Sequence, residues 1–106
     1  MKRHRTSREA DEDLIAIYEQ GYARFGPRQA GRYLDEMERV FETLVDFPGL
    51  GRLRTEHHPA VRIFPFNAHV IVYEENEDGV LIVRVRHGRE DWRSDPRGSE
   101  TDRNQP

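Results

Sequence analysis

The sequence predicts an α+β fold in which a two-helix hairpin packs on a mainly antiparallel sheet that ends in a three-strand meander. Two observations predict it: apolar residues recur at helical spacing through the first half of the chain, and the period changes to strand-like alternation from residue 61 onward. A chain of 106 residues fits a single domain. Because two or three strands alone are marginally stable, we expect the hairpin to cover one face of the sheet.

The first helix is expected to run from about residue 8 to residue 24. Thr6 begins an S/T-x-x-E capping box that ends at Glu9, and the box predicts a helix start there. Apolar side chains then follow at helical spacing: Ala10, Leu14, Ile17, Tyr18, Tyr22 and Phe25. Gly26-Pro27 predicts the end of this helix and the start of the next, since glycine suits a helix C-terminus and proline a first helical position.

The second helix is predicted to end near Asp46, because the sequence from Phe47 to Gly51 contains Pro and Gly and cannot continue it. Its apolar residues repeat at the same spacing: Ala30, Tyr33, Leu34, Met37, Phe41, Leu44 and Val45. The short connection between the two helices predicts that they lie side by side as a hairpin.

Three later segments, residues 61–64, 69–73 and 80–87, alternate in the manner of strands. The stretches 65–67 and 74–79 are interpreted as the turns that join them into an antiparallel meander. In the last strand, Leu81, Val83 and Val85 are expected to face the helices. Residues 2–6 are a candidate first strand at the sheet edge. Residues 1–93 would form the domain, and residues 94–106, which lack apolar anchors, are expected to be a disordered tail.

The composition excludes several classes of function. The chain has no cysteine, which excludes disulfides, thiolate metal sites and cysteine nucleophiles. The His57-His58 pair stands in a polar loop, where adjacent positions rarely converge on one metal, and we assign neither a metal nor a cofactor. A net charge of −3 argues against strong direct binding of nucleic acid. No run is apolar enough to span a bilayer or to act as a signal peptide, so we expect a cytoplasmic protein without membrane contact.

The order of several short features makes a family resemblance visible. They are Ala10, Asp13-Leu14, Ile17-Tyr18, Phe25-Gly26, Gln29-Ala30, Tyr33, Pro48, Gly51-Arg52, Arg62, His69-Val70-Ile71-Val72-Tyr73 and the stretch from Val83 to Trp92, which reads VRVRHGREDW. Over about residues 3–93 this order resembles the ParE toxins of the RelE/ParE superfamily. These are the toxin halves of bacterial type II toxin-antitoxin modules.

The resemblance implies a helical hairpin on an antiparallel sheet and a ParD-like antitoxin that folds as it wraps the toxin. For the ParE branch it implies inhibition of DNA gyrase without catalysis. The RelE branch instead cleaves mRNA on the ribosome, so a ribonuclease is the alternative function, and a family member that only binds its antitoxin is a third.

The ribonuclease alternative would need a titrating group and cations that stabilise the phosphate in the transition state. His87, Arg62 and Arg84 are the candidates for these roles. RelE-like enzymes typically combine a Lys and Arg cluster with a C-terminal Tyr. Here Trp92 stands near that place, and because an indole is neither acid nor base, this difference favours a non-catalytic binder.

Two sets of residues are candidates for contact with partners. The target-binding candidates are expected to form the exposed part of the last strand and its end: Arg84, Arg86, His87, Arg89, Asp91 and Trp92. The antitoxin-binding candidates are Tyr18, Tyr22, Tyr33 and Arg62, because aromatic anchors are favoured at interfaces. Each set has a structural alternative, in which the arginines pair with acids, Arg89 pairs with Asp91, Trp92 covers the core edge and the tyrosines pack inside the fold.

Overall fold

The computed structural model describes residues 1–98, and it confirms the predicted α+β class. The elements, in chain order, are β1 (Arg3–Thr6), α1 (Arg8–Phe25), α2 (Pro27–Asp46), a 3₁₀ turn (Pro48–Leu50), β2 (Arg52–Arg54), β3 (Val61–Phe66), β4 (His69–Asn76) and β5 (Gly79–His87). Both predicted helices are confirmed within a residue at each end. None of the helices in the described part of the chain has the length and apolar character that crossing a membrane requires.

The sheet has five strands in the order β1-β5-β4-β3-β2. The three predicted meander strands pair antiparallel, and the predicted N-terminal edge strand is confirmed as β1, which pairs parallel with β5. Strand β2 is an additional edge strand of three residues, too short for its alternation to be recognised in the sequence. Strands β3 and β4 each extend into the predicted turns, so the connections contain only two residues each.

The N-cap of the first helix lies one residue later than predicted. Ser7, not Thr6, is the N-cap: its Oγ accepts the Ala10 N–H at 2.9 Å and donates to the Val83 carbonyl at 2.7 Å. Thr6 is the last residue of β1, paired with Ile82, and its extended backbone is part of the sheet ladder. The predicted capping box is therefore wrong, because strand pairing holds Thr6.

The hairpin covers one face of the sheet with a continuous apolar cluster. Met37, Phe41 and Leu44 of α2 are fully buried and pack with Tyr73 and Ile82 of the sheet. Gly26, which joins the helices, has a φ of 87°, a conformation that glycine adopts without the steric cost that a Cβ would add. Residues of both predicted helical stripes thus form the main core, as their spacing predicts.

A β-bulge in the β4–β5 pair changes which residues of β5 face the helices. Ile82 lies opposite Tyr73 but Arg84 lies opposite Val72, so one extra residue is inserted in β5. The helix-facing cluster contains Ile82 and Val85, together with Val80, whereas Val83 packs in the cluster on the opposite face. The prediction is therefore confirmed for Val85 and wrong for Val83.

Leu81 also departs from the prediction. It alternates with Val80 and Ile82, both of which point to the helices, and it therefore lies on the opposite face of β5. The extra residue reverses the alternation, so no single set of every-second residues describes this strand.

The segment after β5 is packed further than predicted. Asp95, Pro96 and Gly98 are buried, so the expected disorder from Ser94 is wrong for residues 94–98. These residues lack apolar anchors but supply backbone carbonyls to buried arginines, a contact that composition does not reveal. The rest of the predicted tail, residues 99–106, lies outside the described residues.

Candidate functional site

Two histidines meet at the end of the sheet that adjoins the helix connection. His69 begins β4 and His87 ends β5, and the two residues are directly paired, with ring centroids 5.4 Å apart in an edge arrangement. A cavity of about 250 Å³ opens beside them. Its walls come from the second half of α1, the first half of α2 and the β3–β4 turn.

Tyr33 of α2 fixes the orientation of His69. Its Oη lies 2.6 Å from His69 Nδ1. When the Tyr33 hydroxyl donates to Nδ1, the neutral His69 ring carries its proton on Nε2; in the other tautomer Nδ1–H donates to the Tyr33 oxygen.

A backbone contact sets the tautomer of neutral His87. Its Nδ1 accepts the backbone N–H of Arg89 at 3.1 Å. An accepting Nδ1 carries no proton in the neutral ring, so the ring proton lies on Nε2. The neutral His87 ring therefore has an Nε2–H donor in addition to its occupied Nδ1.

Burial disfavours the charged forms of His69 and Tyr33. Desolvation lowers the pKa of His69, and the neighbouring His87 lowers it further. Desolvation likewise raises the pKa of the Tyr33 hydroxyl above its ordinary value. The charged form of each group is the one that burial disfavours. The Tyr33–His69 contact is thus a hydrogen bond between two neutral groups at physiological pH.

The predicted exposure of Arg84 and Arg86 is wrong, because both side chains are held inside the structure. Arg84 donates to both carboxylate oxygens of Asp13, at 2.8 and 3.0 Å, and to the Arg97 carbonyl at 2.7 Å. Arg86 is only 4% exposed; it donates to Glu90 at 2.9 Å and to the carbonyls of Asp95 and Pro96. Both arginines position the C-terminal segment.

The other target-binding candidates lie close together around the turn that follows β5. Arg89 and Asp91 are exposed, while His87 and Trp92 are partly buried. Asp91 does not pair with Arg89 but accepts from Ser94, whose hydrogen bonds lower the pKa of the Asp91 carboxyl. This surface, residues 87–92, is called the β5 exit turn below.

Trp92 covers the cluster on the helix-free face of the sheet. Its ring packs against the buried residues Val61, Ile63, Val70 and Val72, and its Nε1–H donates to the Gly88 carbonyl at 3.3 Å. The Arg93 guanidinium lies 4.5 Å from the Trp92 ring centroid, a cation–π distance. The ring is thus both a structural cover and part of the β5 exit turn.

The antitoxin-binding candidates fall into separate places. Tyr18 and Tyr22 are 37% and 53% exposed on α1, with their ring centroids 6.1 Å apart. Ile15 and Phe25 extend this exposed stripe along the same helix. Tyr33 instead lines the cavity, which the stripe reaches only at Phe25.

Arg62 lies on β3, in another part of the molecule. Its guanidinium is held by Glu75 at 2.9 Å and by the Gly51 carbonyl at 2.9 Å. It is opposite Tyr73, whose hydroxyl links the same Gly51 N–H, at 2.8 Å, to the Pro48 carbonyl, at 2.6 Å. Arg62 thus fastens the loop after α2 to the sheet.

The three residues of the ribonuclease alternative do not form one site. Arg62 and Arg84 donate to the partners given above, and neither contacts His87, whose neighbours are His69, Arg89 and Glu90. Within residues 1–98 no cluster of His, Asp and Glu has the geometry of a metal site.

The sequence does not predict that His69 and Tyr33 lie beside His87. A signal for the first exists: counting outward from the Asp-Gly turn along two antiparallel strands brings His69 opposite His87, once the bulge is included. The contribution of Tyr33 has no such signal, because its helical stripe gives no register against the sheet.

The fold first defines a structural class. A solved structure from the chromosomal ParDE toxin-antitoxin system of P. aeruginosa has the same fold, with a TM-score of 0.68 and 23% identity, covering 82% of this chain and 96% of that chain. The hairpin on a mixed sheet is therefore the α+β fold of that structure.

The family follows from sequence comparison. The model of the ParE toxin of the type II toxin-antitoxin system parDE matches residues 5–92, and the chain belongs to this family. Toxin ParE3 of Caulobacter vibrioides is 32% identical over 83 residues, which are 78% of this chain and 83% of that protein. Toxin ParE1 of Mycobacterium tuberculosis is 31% identical over 90 residues, 84% of this chain and 92% of that protein. The resemblance seen in the sequence is confirmed.

Proposed function

We propose that this ParE-family chain inhibits DNA gyrase by binding it, without catalysis, and that a ParD-like antitoxin neutralises it. One observation carries the non-catalytic part. The cations that a ribonuclease would place on the scissile phosphate, Arg62 and Arg84, are committed to structural ion pairs away from His87. A cytoplasmic location follows from the proposed target.

The β5 exit turn is the proposed gyrase contact. Arg89 and Asp91 present exposed charges beside the Trp92 ring, a combination of a rigid aromatic and polar groups that suits a protein interface. The proposed contact does not include Arg84, which is partly buried, or Arg86, which is buried. Their proposed role is to hold residues 95–97 against the sheet and so keep the turn in place.

Purified chain added to a gyrase supercoiling assay tests the target. Inhibition that is lost with Arg89→Ala but retained with Arg28→Ala, an exposed arginine on α2, would support both the target and the surface. Both substitutions remove one exposed cation, so they differ in position and not in charge. Unchanged supercoiling at saturating chain would overturn the gyrase proposal.

The exposed stripe of α1 is the proposed antitoxin contact. Tyr18 and Tyr22, extended by Ile15 and Phe25, offer an apolar helix face that a second amphipathic helix can cover. Truncating a central interface aromatic typically costs about 2 kcal/mol, or roughly thirtyfold in affinity. Tyr22→Ala is therefore expected to weaken antitoxin binding by about that factor in calorimetry, whereas Glu19→Ala on the same helix is expected to change it little. Equal losses for both variants would contradict an aromatic anchor.

The ribonuclease alternative has one observation in its favour: His87 stands beside a second imidazole and a phenol. Primer extension on mRNA from a translation reaction decides it. Ribosomal A-site cuts that disappear with His87→Ala would replace the non-catalytic proposal, and an absence of cuts with active ribosomes would remove the alternative.

A further inference from the structure

The cavity beside the histidine pair has a polar end and apolar walls. His69, His87 and Tyr33 form the polar end, whereas Ile17, Phe25 and Ala30 supply apolar surface from the hairpin. The volume of about 250 Å³ exceeds that of one aromatic ring and is below that of a typical drug-sized site. The space therefore suits a small, largely apolar group with a single polar end.

The hydrogen bonds around the histidines determine which polar end fits. Nδ1 of His87 accepts the Arg89 N–H, so the neutral His87 ring has Nε2–H left to donate. His69 has the same free donor when the Tyr33 hydroxyl donates to its Nδ1. An imidazole N–H at the polar end calls for an acceptor, and a ligand that is only a donor would leave its own polar group or that N–H unsatisfied.

Charge around the cavity favours an acceptor that is negative. Arg24 is the cationic member of the cavity lining, and it lies beside Phe25, with its Cζ 5.5 Å from the ring centroid. The two acids that act on His69 are paired, Asp13 with Arg84 and Glu90 with Arg86, while Glu36 acts on Tyr33. A carboxylate at the His69 and His87 end of the cavity thus meets imidazole groups and the Arg24 guanidinium.

We propose that this cavity is a binding site for an apolar group that carries a carboxylate, with the apolar part between the two helices and the carboxylate at His69 and His87. Arg24 contributes at the rim. This chemistry occurs at the C-terminal residue of a peptide and in small aromatic acids. The proposal does not require bound gyrase or antitoxin, because residues of this chain line the cavity. The cavity shares Phe25 with the exposed stripe of α1 and His87 with the β5 exit turn.

Nuclear magnetic resonance of the histidine rings in the full chain tests the proposal. Benzoate is the probe, since it combines a ring with a carboxylate, and a ligand of its size is expected to bind with a dissociation constant on the order of 1 mM. Benzoate should shift the ring nitrogens of His69 and His87 saturably. His57 and His58, in the loop before β3, serve as internal references and should not move.

Matched probes separate the parts of the proposal. Benzamide has the same shape without the charge, and benzylammonium has the opposite charge; the first should bind more weakly and the second should not bind. Benzamide binding as tightly as benzoate would overturn the anionic part. Inorganic phosphate producing the same saturable shifts would overturn the apolar part and point to a bare phosphate site of the kind a nucleic acid backbone would use.

Variants complete the test. His87→Gln keeps a donor near the Nε2 position and should retain most of the affinity, whereas His87→Ala should lose at least about tenfold. Arg24→Met should weaken binding a few-fold, and Arg28→Met, which lies outside the cavity lining, should leave it unchanged. If His87→Ala and Arg24→Met both bind benzoate like the unsubstituted chain, the site is elsewhere and the proposal is wrong.

Discussion

The two faces of the sheet are closed in different ways. On the helix side, the fully buried side chains of Met37, Phe41 and Leu44 form an apolar layer over the strands. On the other side, Trp92 covers a small apolar cluster, and beyond it the buried Arg86 and the partly buried Arg84 hold residues 95–97 by their backbone carbonyls. The first face depends on the hydrophobic effect, which is proportional to area, and the second on directed hydrogen bonds from charged donors. The two faces should therefore respond differently to substitution.

The largest expected loss of stability is on the helix side. Phe41→Ala leaves a cavity in the middle of the apolar layer and should lower the free energy of unfolding by about 3–5 kcal/mol. Urea denaturation followed by circular dichroism measures it. A loss below about 1 kcal/mol would mean that the hairpin does not depend on this layer.

Arg86→Met tests the contribution of the hydrogen bonds on the helix-free face of the sheet. The substitution removes a charged donor and leaves the carbonyls of Asp95 and Pro96 without it, at an expected cost of about 2–3 kcal/mol. Arg89→Met, three residues later and exposed, is the control and should stay within about 0.5 kcal/mol. Equal effects of the two substitutions would show that the buried contacts of Arg86 contribute nothing.

Asp13 connects the two faces, since it lies on α1 and binds β5 beyond the end of β1. Its carboxylate accepts the Val85 N–H at 2.9 Å as well as the Arg84 guanidinium. Asp13→Asn keeps the shape but removes the charge, and should cost about 1–2 kcal/mol in the same denaturation assay. Glu12→Gln, at an exposed position next to it, is expected to change stability little. A result in which both cost the same would contradict the strand-capping role.

A smaller loss of stability is expected from removing the N-cap of α1. Ser7→Ala should cost about 1 kcal/mol, because it removes the acceptor for the Ala10 N–H. Thr6→Ala should cost less, since Thr6 is a strand residue whose hydroxyl bonds to exposed Asp11. A larger loss of stability for Thr6→Ala than for Ser7→Ala would mean that Thr6 is the N-cap, as the sequence predicts.

The smallest expected effect is a change in the pH dependence of folding stability. The pKa of His69 is lowered in the folded state from its ordinary value of 6.5, so below about that pH the unfolded chain binds the proton first and folding stability falls. Above it, both states are neutral and the dependence disappears. His69→Gln cannot titrate and should flatten stability between roughly pH 5 and 7 relative to the unsubstituted chain. An unchanged pH profile would show that His69 is not the group responsible.

Features that depend on local, periodic packing could be predicted from the sequence, and features that depend on tertiary pairing could not. Helical spacing from Ala10 to Val45 and the Gly26-Pro27 junction predict the hairpin, because the packing that decides it is local and periodic. The orientation of β5 could not be predicted, since the extra residue near Val83 depends on tertiary pairing. The burial of Arg84 and Arg86 is equally invisible, because charged residues in a strand usually indicate a solvent-facing side.

The candidate site likewise contains residues that local patterns predict and a cavity that they do not predict. His87 was recognised by its place at the end of a strand, and Tyr18 and Tyr22 by their chemistry. Their roles in binding stay predictions. The cavity that joins His87 to Tyr33 required the register of a helix against a sheet, which no local pattern encodes.

The parallel pairing of β1 with β5 has a consequence for synthesis of the chain. Arg3 of β1 has Gly79 of β5 as its partner, so these two strands pair only after β5 has left the ribosome. Until then the hairpin has no sheet to cover its apolar stripe, and such exposed surface invites association with other chains. A partner that binds the nascent hairpin would therefore reach this protein before it is able to act on any target.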